Sequence, residues 1–134
     1  MPTLRVQFVV VLMLSFAGCG SVSTSPFPDA ADIERVKFKG EDGSDSKAVT
    51  IEKEEWRTIS QAMLPAYRDA NPANWEMYGD IQITLKNGTQ ITVCPMGGAD
   101  PQATFAIGES RENLTYYICG SNIQLQKAME RVSR

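Results

Sequence analysis

The residues of this chain that could carry out chemistry are few. Three cysteines are present, Cys19, Cys94 and Cys119, and the chain has no histidine. Without an imidazole, the chain offers no Ser-His-Asp or Cys-His nucleophilic site and no histidine-ligated metal site. Cys94 and Cys119 also lack the C-x-x-C spacing of a redox or zinc motif. Most hydrolase mechanisms are therefore excluded.

Paired carboxylates are the remaining route to catalysis, because two acidic groups suffice for glycoside hydrolysis. The candidate pairs are Glu54 with Glu55, and Asp42 with Asp45. The first pair lies in the first turn of a predicted helix, and the second lies in a predicted solvated turn. We therefore predict a protein without catalytic residues. A weak carboxylate-based enzyme of the cell envelope is the alternative.

Two other segments have some features of ligand sites. Residues 42–46 (DGSDS) offer oxygen atoms to calcium, but they depart from the EF-hand order and lack the closing glutamate. Gly97 and Gly98 could approach a phosphate, but no Lys-Ser/Thr pair follows them. We predict no metal site and no bound cofactor.

Aromatic residues around the glycine-rich loop are the best candidates for recognition. Trp75, Tyr78 and Tyr117 could form an exposed platform for an envelope protein or a glycan. The alternative is that aromatic residues in this region pack in the core or seal the edge of a sheet, with Trp75 and Met77 in that role.

The N-terminus has the pattern of an export signal. Arg5 precedes residues 6–16, which are apolar apart from Gln7 and Ser15. A positively charged start followed by an apolar run is typical of a signal peptide. The run is about a dozen residues long, whereas a membrane-spanning helix needs ~20. We predict that residues 1–18 are a signal peptide that is removed.

Phe16-Ala17-Gly18-Cys19 follows this run directly. The segment resembles the lipobox of bacterial lipoproteins, in which a cysteine after small residues is acylated and becomes the first residue of the mature chain. The resemblance implies a diacylglyceryl-modified Cys19, a lipid anchor in the cell envelope and, with Gly20 in the next position, the outer membrane. Ordinary signal-peptidase cleavage after Gly20 or Ser23 is the alternative, and it would release a soluble inhibitor or effector.

The chain as a whole also resembles small exported proteins of planctomycete-like bacteria. No diagnostic motif carries this likeness, and it implies no function.

Assigning Cys19 to lipid leaves Cys94 and Cys119 as an even pair in an oxidising compartment, where they could form a disulfide. The alternative is that both are small buried apolar side chains in neighbouring strands.

The charge balance limits the partners. Residues 19–134 carry 12 basic and 16 acidic side chains, a net charge of −4. An acidic domain is unsuited to nucleic acid. No Lys/Arg-rich surface helix suits anionic lipid either. We predict that the membrane is a partner only through the lipid anchor.

Hydrophobic periodicity predicts the elements that hold these residues. Alternation predicts strands at residues 33–39, 48–51, 80–85, 89–94, 103–107 and 114–119. Spacings of three and four residues predict two amphipathic helices. The apolar face of the first contains Trp56, Ile59, Met63 and Tyr67, with an end or a kink near Leu64 because Pro65 follows. The apolar face of the C-terminal helix contains Leu125, Ala128, Met129 and Val132.

Asn87-Gly88 predicts a hairpin. A three-residue loop, residues 86–88, pairs Ile83 with Ile91 and Ile81 with Val93, which gathers the apolar side chains on one face. Cys94 then lies on the opposite side. If the apolar set Leu114, Tyr116 and Ile118 faces the core, Cys119 lies on the outer side with Cys94.

The predicted order ββαββββα, with short turns between successive strands, favours a two-layer α+β domain. We predict a mainly antiparallel sheet of about 5–6 strands with two helices on one face. The predicted boundaries are a signal peptide at 1–18, a lipidated N-terminus and flexible tether at 19–32, and one globular domain at 33–134.

Overall fold

The computed structural model describes residues 25–40, 48–69, 77–97 and 101–132. The strands are β1 (Ile33–Phe38), β2 (Val49–Thr50), β3 (Ala66–Arg68), β4 (Ile81–Leu85), β5 (Gln90–Met96), β6 (Ala103–Gly108) and β7 (Leu114–Cys119). The helices are α1 (Lys53–Ala62) and α2 (Asn122–Val132), and a 3-10 turn, Ala30–Asp32, precedes β1. Among these residues, no helix combines the length and hydropathy needed to cross a bilayer.

The strands form one sheet in the order β2-β1-β4-β5-β6-β7-β3, and each strand pair is antiparallel. The predicted α+β class and antiparallel sheet are confirmed. The sheet has seven strands rather than 5–6, and the element order is ββαβββββα.

The additional strand is β3, directly after α1. The helix ends at Ala62 and Pro65 follows closely, so the chain leaves the helical conformation before Ala66. Tyr67 then pairs with Ile118 at the sheet edge and is 62% exposed. The prediction that Tyr67 extends the apolar face of α1 is wrong, because the helix ends first.

The predicted hairpin register is confirmed. Ile81 pairs with Val93, and Ile83 pairs with Ile91. The loop closes through a hydrogen bond from the Gly88 amide to the Leu85 carbonyl, and Gly88 has a φ of +88°. Glycine suits this position because it adopts positive φ at little cost.

Both helices cover one face of the sheet, which we call the inner face. Trp56 and Ile59 of α1, and Leu125 and Met129 of α2, belong to one core cluster with buried strand residues. The strand members include Ile33, Val36, Phe38, Ile81, Ile83, Val93 and Phe105. The predicted apolar faces of the two helices are confirmed, apart from Tyr67.

The faces of β7 are the reverse of the predicted assignment. Phe105 is a core residue and pairs with Tyr117, so Tyr117 and Cys119 face the helices. Leu114 and Tyr116 therefore lie on the opposite side, where they pack against a second cluster. The stacking of Tyr117 on Phe105 of β6, rather than the apolar character of β7 alone, determines which face of β7 is buried.

Phe27 packs against the domain, although the sequence places it in a tether. Its ring lies edge-on to Trp56, with 5.5 Å between centroids, and is stacked on Phe105 at 5.1 Å. The carbonyl of Asp32 also accepts a hydrogen bond from the Lys86 amide. Phe27 therefore packs against the core although it precedes the predicted domain start at Ile33.

Candidate functional site

The sheet has a second face, opposite the helices, which we call the outer face. Cys94, Met96 and Ala106 are buried there, and half-buried Met77, Leu114 and Tyr116 pack against them. The outer face thus holds a small apolar cluster of its own. A buried charged group lies beside it.

That charged group is Asp80, immediately before β4. One carboxylate oxygen accepts a hydrogen bond from Arg111 Nε at 2.5 Å, and the other accepts one from the Cys94 thiol at 3.2 Å. The main chain of Asp80 is also held, because its carbonyl accepts from the Lys39 amide at 2.8 Å. We call Asp80, Cys94 and Arg111 the Asp80 cluster.

Burial separates the roles of the two charged side chains. The Asp80 side chain is 7% exposed, whereas the Arg111 side chain is 46% exposed. A buried carboxylate is stable only when it is paired and hydrogen-bonded. Asp80 is therefore a fixed internal anion, and Arg111 is the member of the cluster that reaches solvent.

The Cys94 thiol is a hydrogen-bond donor rather than a nucleophile. Burial is the main cause that raises its pKa to about 12, and the hydrogen bond to Asp80 and the negative charge of Asp80 raise it further. The positive charge of Arg111 opposes this shift only in part. Because the thiolate is the reactive form, Cys94 is inert as a nucleophile at neutral pH.

Arg111 lies in the turn between β6 and β7. Its hydrogen bond to Asp80 is the main cause that raises its pKa. The contact uses Nε, and among the described residues no hydrogen bond from the terminal Nη1 and Nη2 groups accompanies it, so these groups form a planar fork of donors. Such a fork matches the two oxygens of a carboxylate.

Sequence reasoning did not identify the Asp80 cluster. A signal for Asp80 was present, because the predicted register that pairs Ile81 with Val93 also brings Asp80 towards Cys94. Arg111 gave no such signal, since nothing in the sequence says where a side chain from a polar turn will point. The contact joins residues that are 31 positions apart.

The possible disulfide between Cys94 and Cys119 is not formed. Both are free and buried. Cys94 lies in the outer-face cluster on β5, whereas Cys119 lies in the core on β7, with β6 between the two strands. Opposite faces and about 10 Å between strands two apart exceed the reach of a disulfide. Burial alone raises the pKa of Cys119 to about 12.

Two of the three residues of the predicted aromatic platform lie in the described part of the chain. Tyr117 is stacked on Phe105 at 5.0 Å, and Tyr78 also packs against the core. Trp75 lies outside the described residues. Met77 forms an isolated bridge with Met96 at the edge of the outer-face cluster.

The structure describes one of the two candidate carboxylate pairs. Glu54 and Glu55 are exposed on α1, while Asp42 and Asp45 lie outside the described residues. Within the four described ranges, no three acidic or cysteine side chains converge where a metal ion could bind. Cys19 and the predicted signal peptide also lie outside these ranges.

A groove of about 720 Å³ lies between Phe27 and α1. Its apolar lining includes Ile33, Trp56 and Leu64, and its polar lining includes Lys53 and Arg57. The volume is in the range of small-molecule sites. Asp29 and Glu54 also line it, so its charges are mixed and favour no particular ligand.

The chain matches no protein-family model, and it shows no significant similarity to a curated protein or to a solved structure. The physical character of its own residues is therefore the basis for a functional proposal.

Proposed function

We propose that the protein is a small lipoprotein of the cell envelope, anchored by an acylated Cys19, whose α+β domain is a non-catalytic binding module. The observation that carries the binding role is the ion pair of the outer face. Buried Asp80 fixes the Nε of Arg111, while the Arg111 side chain remains 46% exposed. A positioned and accessible guanidinium is a means of recognising an anionic group.

The anchor is supported by the sequence. The charged start, the short apolar run and Phe16-Ala17-Gly18-Cys19 together resemble a lipoprotein leader. Phe27 packs against Trp56 and Phe105 only eight residues after Cys19. A random-coil segment of eight residues would span about 15 Å, which would keep the domain close to the membrane surface.

The non-catalytic character is supported by the state of the thiols. Cys94 and Cys119 both have pKa values raised to about 12, which leaves them protonated at neutral pH. The carboxylate of Asp80 is engaged by two donors. Asp80 and the two thiols are thus occupied in holding the fold.

Metabolic labelling with palmitate in a bacterial host tests the anchor. We expect the full-length protein to incorporate the label and to partition into the detergent phase, and Cys19→Ser to abolish both. Cys94→Ser is the matched control, because it removes a buried thiol and should leave labelling intact. An unlabelled mature chain that begins after Gly20 or Ser23 would instead support the secreted inhibitor or effector.

A further inference from the structure

The free edge of the Arg111 guanidinium is the most specific unassigned feature of the molecule. A purely structural Arg–carboxylate pair is often bidentate, with two parallel hydrogen bonds. Here Asp80 divides its two oxygens between Arg111 Nε and the Cys94 thiol. The arrangement orients the arginine and leaves its terminal nitrogens available for a second carboxylate.

The neighbourhood of the cluster adds an apolar component. The outer-face cluster around Cys94 includes Leu114 and Tyr116, which are half-buried, so part of each side chain is accessible on the outer face. A ligand that engages Arg111 could therefore place an apolar group against the same face. The C-terminal residue of a peptide has this chemistry, since its carboxylate and its side chain branch from one carbon atom.

The charges of the site favour a carboxylate over a phosphate. Phosphate sites usually combine several donors or a helix N-terminus with their cations. Arg111 is the one cation of the Asp80 cluster, and Glu109 and Glu112 are exposed in the same turn. These acidic neighbours disfavour a doubly charged ligand. A singly charged carboxylate, by contrast, can be bound by the terminal nitrogens of one arginine.

We propose that Arg111 binds the C-terminal carboxylate of a peptide that ends in an apolar residue, with Leu114 and Tyr116 beside the apolar side chain and Asp80 as the positioning residue. This inference rests on the proposed binding role but not on the lipid anchor. A failure of palmitate labelling would therefore count against the lipid anchor alone, and a failure of the ligand titration would count against carboxylate binding alone.

The experiment is an NMR titration of the Cys19→Ser protein with N-acetylleucine, at constant ionic strength. The matched probe is N-acetylleucine amide, which has the same side chain and no carboxylate. We expect saturable shifts at Arg111, Leu114 and Tyr116 with the acid and none with the amide. Equal shifts with the two probes, or no saturable shift with the acid, would overturn the proposal.

Two further probes separate the parts of the ligand. Acetate supplies only the carboxylate, and we expect it to bind more weakly than N-acetylleucine because it lacks the apolar group. Inorganic phosphate should bind more weakly than both. Tighter binding of acetate would refute the apolar contact, and tighter binding of phosphate would refute carboxylate recognition.

Substitution of Arg111 tests the contact itself. Arg111→Gln should weaken N-acetylleucine binding at least roughly tenfold, because charge-assisted hydrogen bonds are lost. Arg131→Gln on α2 is the matched control, since it removes an exposed arginine from the helical layer. Equal affinities for Arg111→Gln and the unsubstituted protein would contradict the proposal.

Asp80→Asn distinguishes a positioning role from a general electrostatic one. Removing a negative charge beside Arg111 should strengthen anion binding if only the local potential matters. If Asp80 orients the guanidinium, the same substitution should weaken N-acetylleucine binding several-fold. Preserved NMR shifts at Ile83 and Leu125 would show that the core remains folded. Should that core unfold, the Asp80→Glu variant takes its place, because it keeps the negative charge and moves the carboxylate. Weakened N-acetylleucine binding would then support positioning, and the affinity of the parent would refute it.

Discussion

Asp80 and Arg111 form a salt bridge that joins the residue before β4 to the turn between β6 and β7. The carboxylate oxygen lies 2.5 Å from the guanidinium Nε. Because Asp80 is buried, it depends on this partner and on the Cys94 thiol for compensation of its charge. The same contact holds the arginine at a defined place on the outer face.

Removing the Asp80 carboxylate should destabilise the fold. We expect Asp80→Ala to lower the free energy of unfolding by about 1–3 kcal/mol, because buried partners lose their hydrogen bonds. Urea denaturation monitored by circular dichroism measures the change. Glu112→Ala, an exposed acidic residue beside Arg111, is the control and should change stability by less than about 0.5 kcal/mol. Similar losses in the two variants would contradict the structural role of Asp80.

The two buried thiols should make stability depend on alkaline pH. Their pKa values are raised in the folded protein to about 12, from ordinary values of 9.0. A raised pKa means that the folded state holds the proton more tightly. This contribution to stability is complete below pH 9 and is lost as pH rises towards 12, with a limiting slope of about 1.4 kcal/mol per pH unit for each thiol.

A comparison of variants isolates the thiols from lysine and tyrosine side chains, which titrate in the same range. The Cys94→Ser and Cys119→Ala variants should each show a shallower loss of unfolding free energy between pH 9 and pH 11 than the parent. Urea unfolding at several pH values gives these slopes. Parallel pH profiles for parent and variants would show that the thiols do not titrate as inferred.

Phe27 should contribute to the stability of the domain. Its half-buried ring contacts Trp56 and Phe105, and we expect Phe27→Ala to cost about 1–3 kcal/mol, less than a fully buried phenylalanine. Asp29→Ala, at an exposed position nearby whose side chain makes no helix-cap hydrogen bond, should be nearly neutral. Guanidinium denaturation of the two variants measures the difference. An unchanged denaturation midpoint for Phe27→Ala would indicate that the folded domain begins at Ile33, as the sequence predicts.

Glycine should be required at position 88 because of the backbone conformation there, and not because a larger side chain would lack space. Its φ is +88°, and a Cβ there would meet no atom within 4 Å. Gly88→Ala should therefore cost about 1 kcal/mol through backbone strain. Gly88→Asn should cost less, because asparagine tolerates the left-handed region better. Thermal denaturation compares the two, and equal losses would argue against a conformational cause.

Much of the fold could be predicted because its signals are local. The helical faces of Trp56 and Ile59, and of Leu125 and Met129, follow from spacing alone. The β4–β5 register follows from Gly88 together with the apolar alternation of the two strands. A one-residue shift would move every side chain to the other face, so the pattern permits a single register.

The sequence by itself determined the α+β class, the antiparallel hairpin and the resemblance to a lipoprotein leader. Tertiary structure alone decided which face of β7 is buried, that Cys94 and Cys119 lie on opposite faces, and that Phe27 packs against the core. It also decided that Arg111 reaches Asp80. These features depend on contacts between residues far apart in the chain. Local periodicity does not encode the direction in which the Arg111 side chain, or the segment that contains Phe27, approaches the sheet.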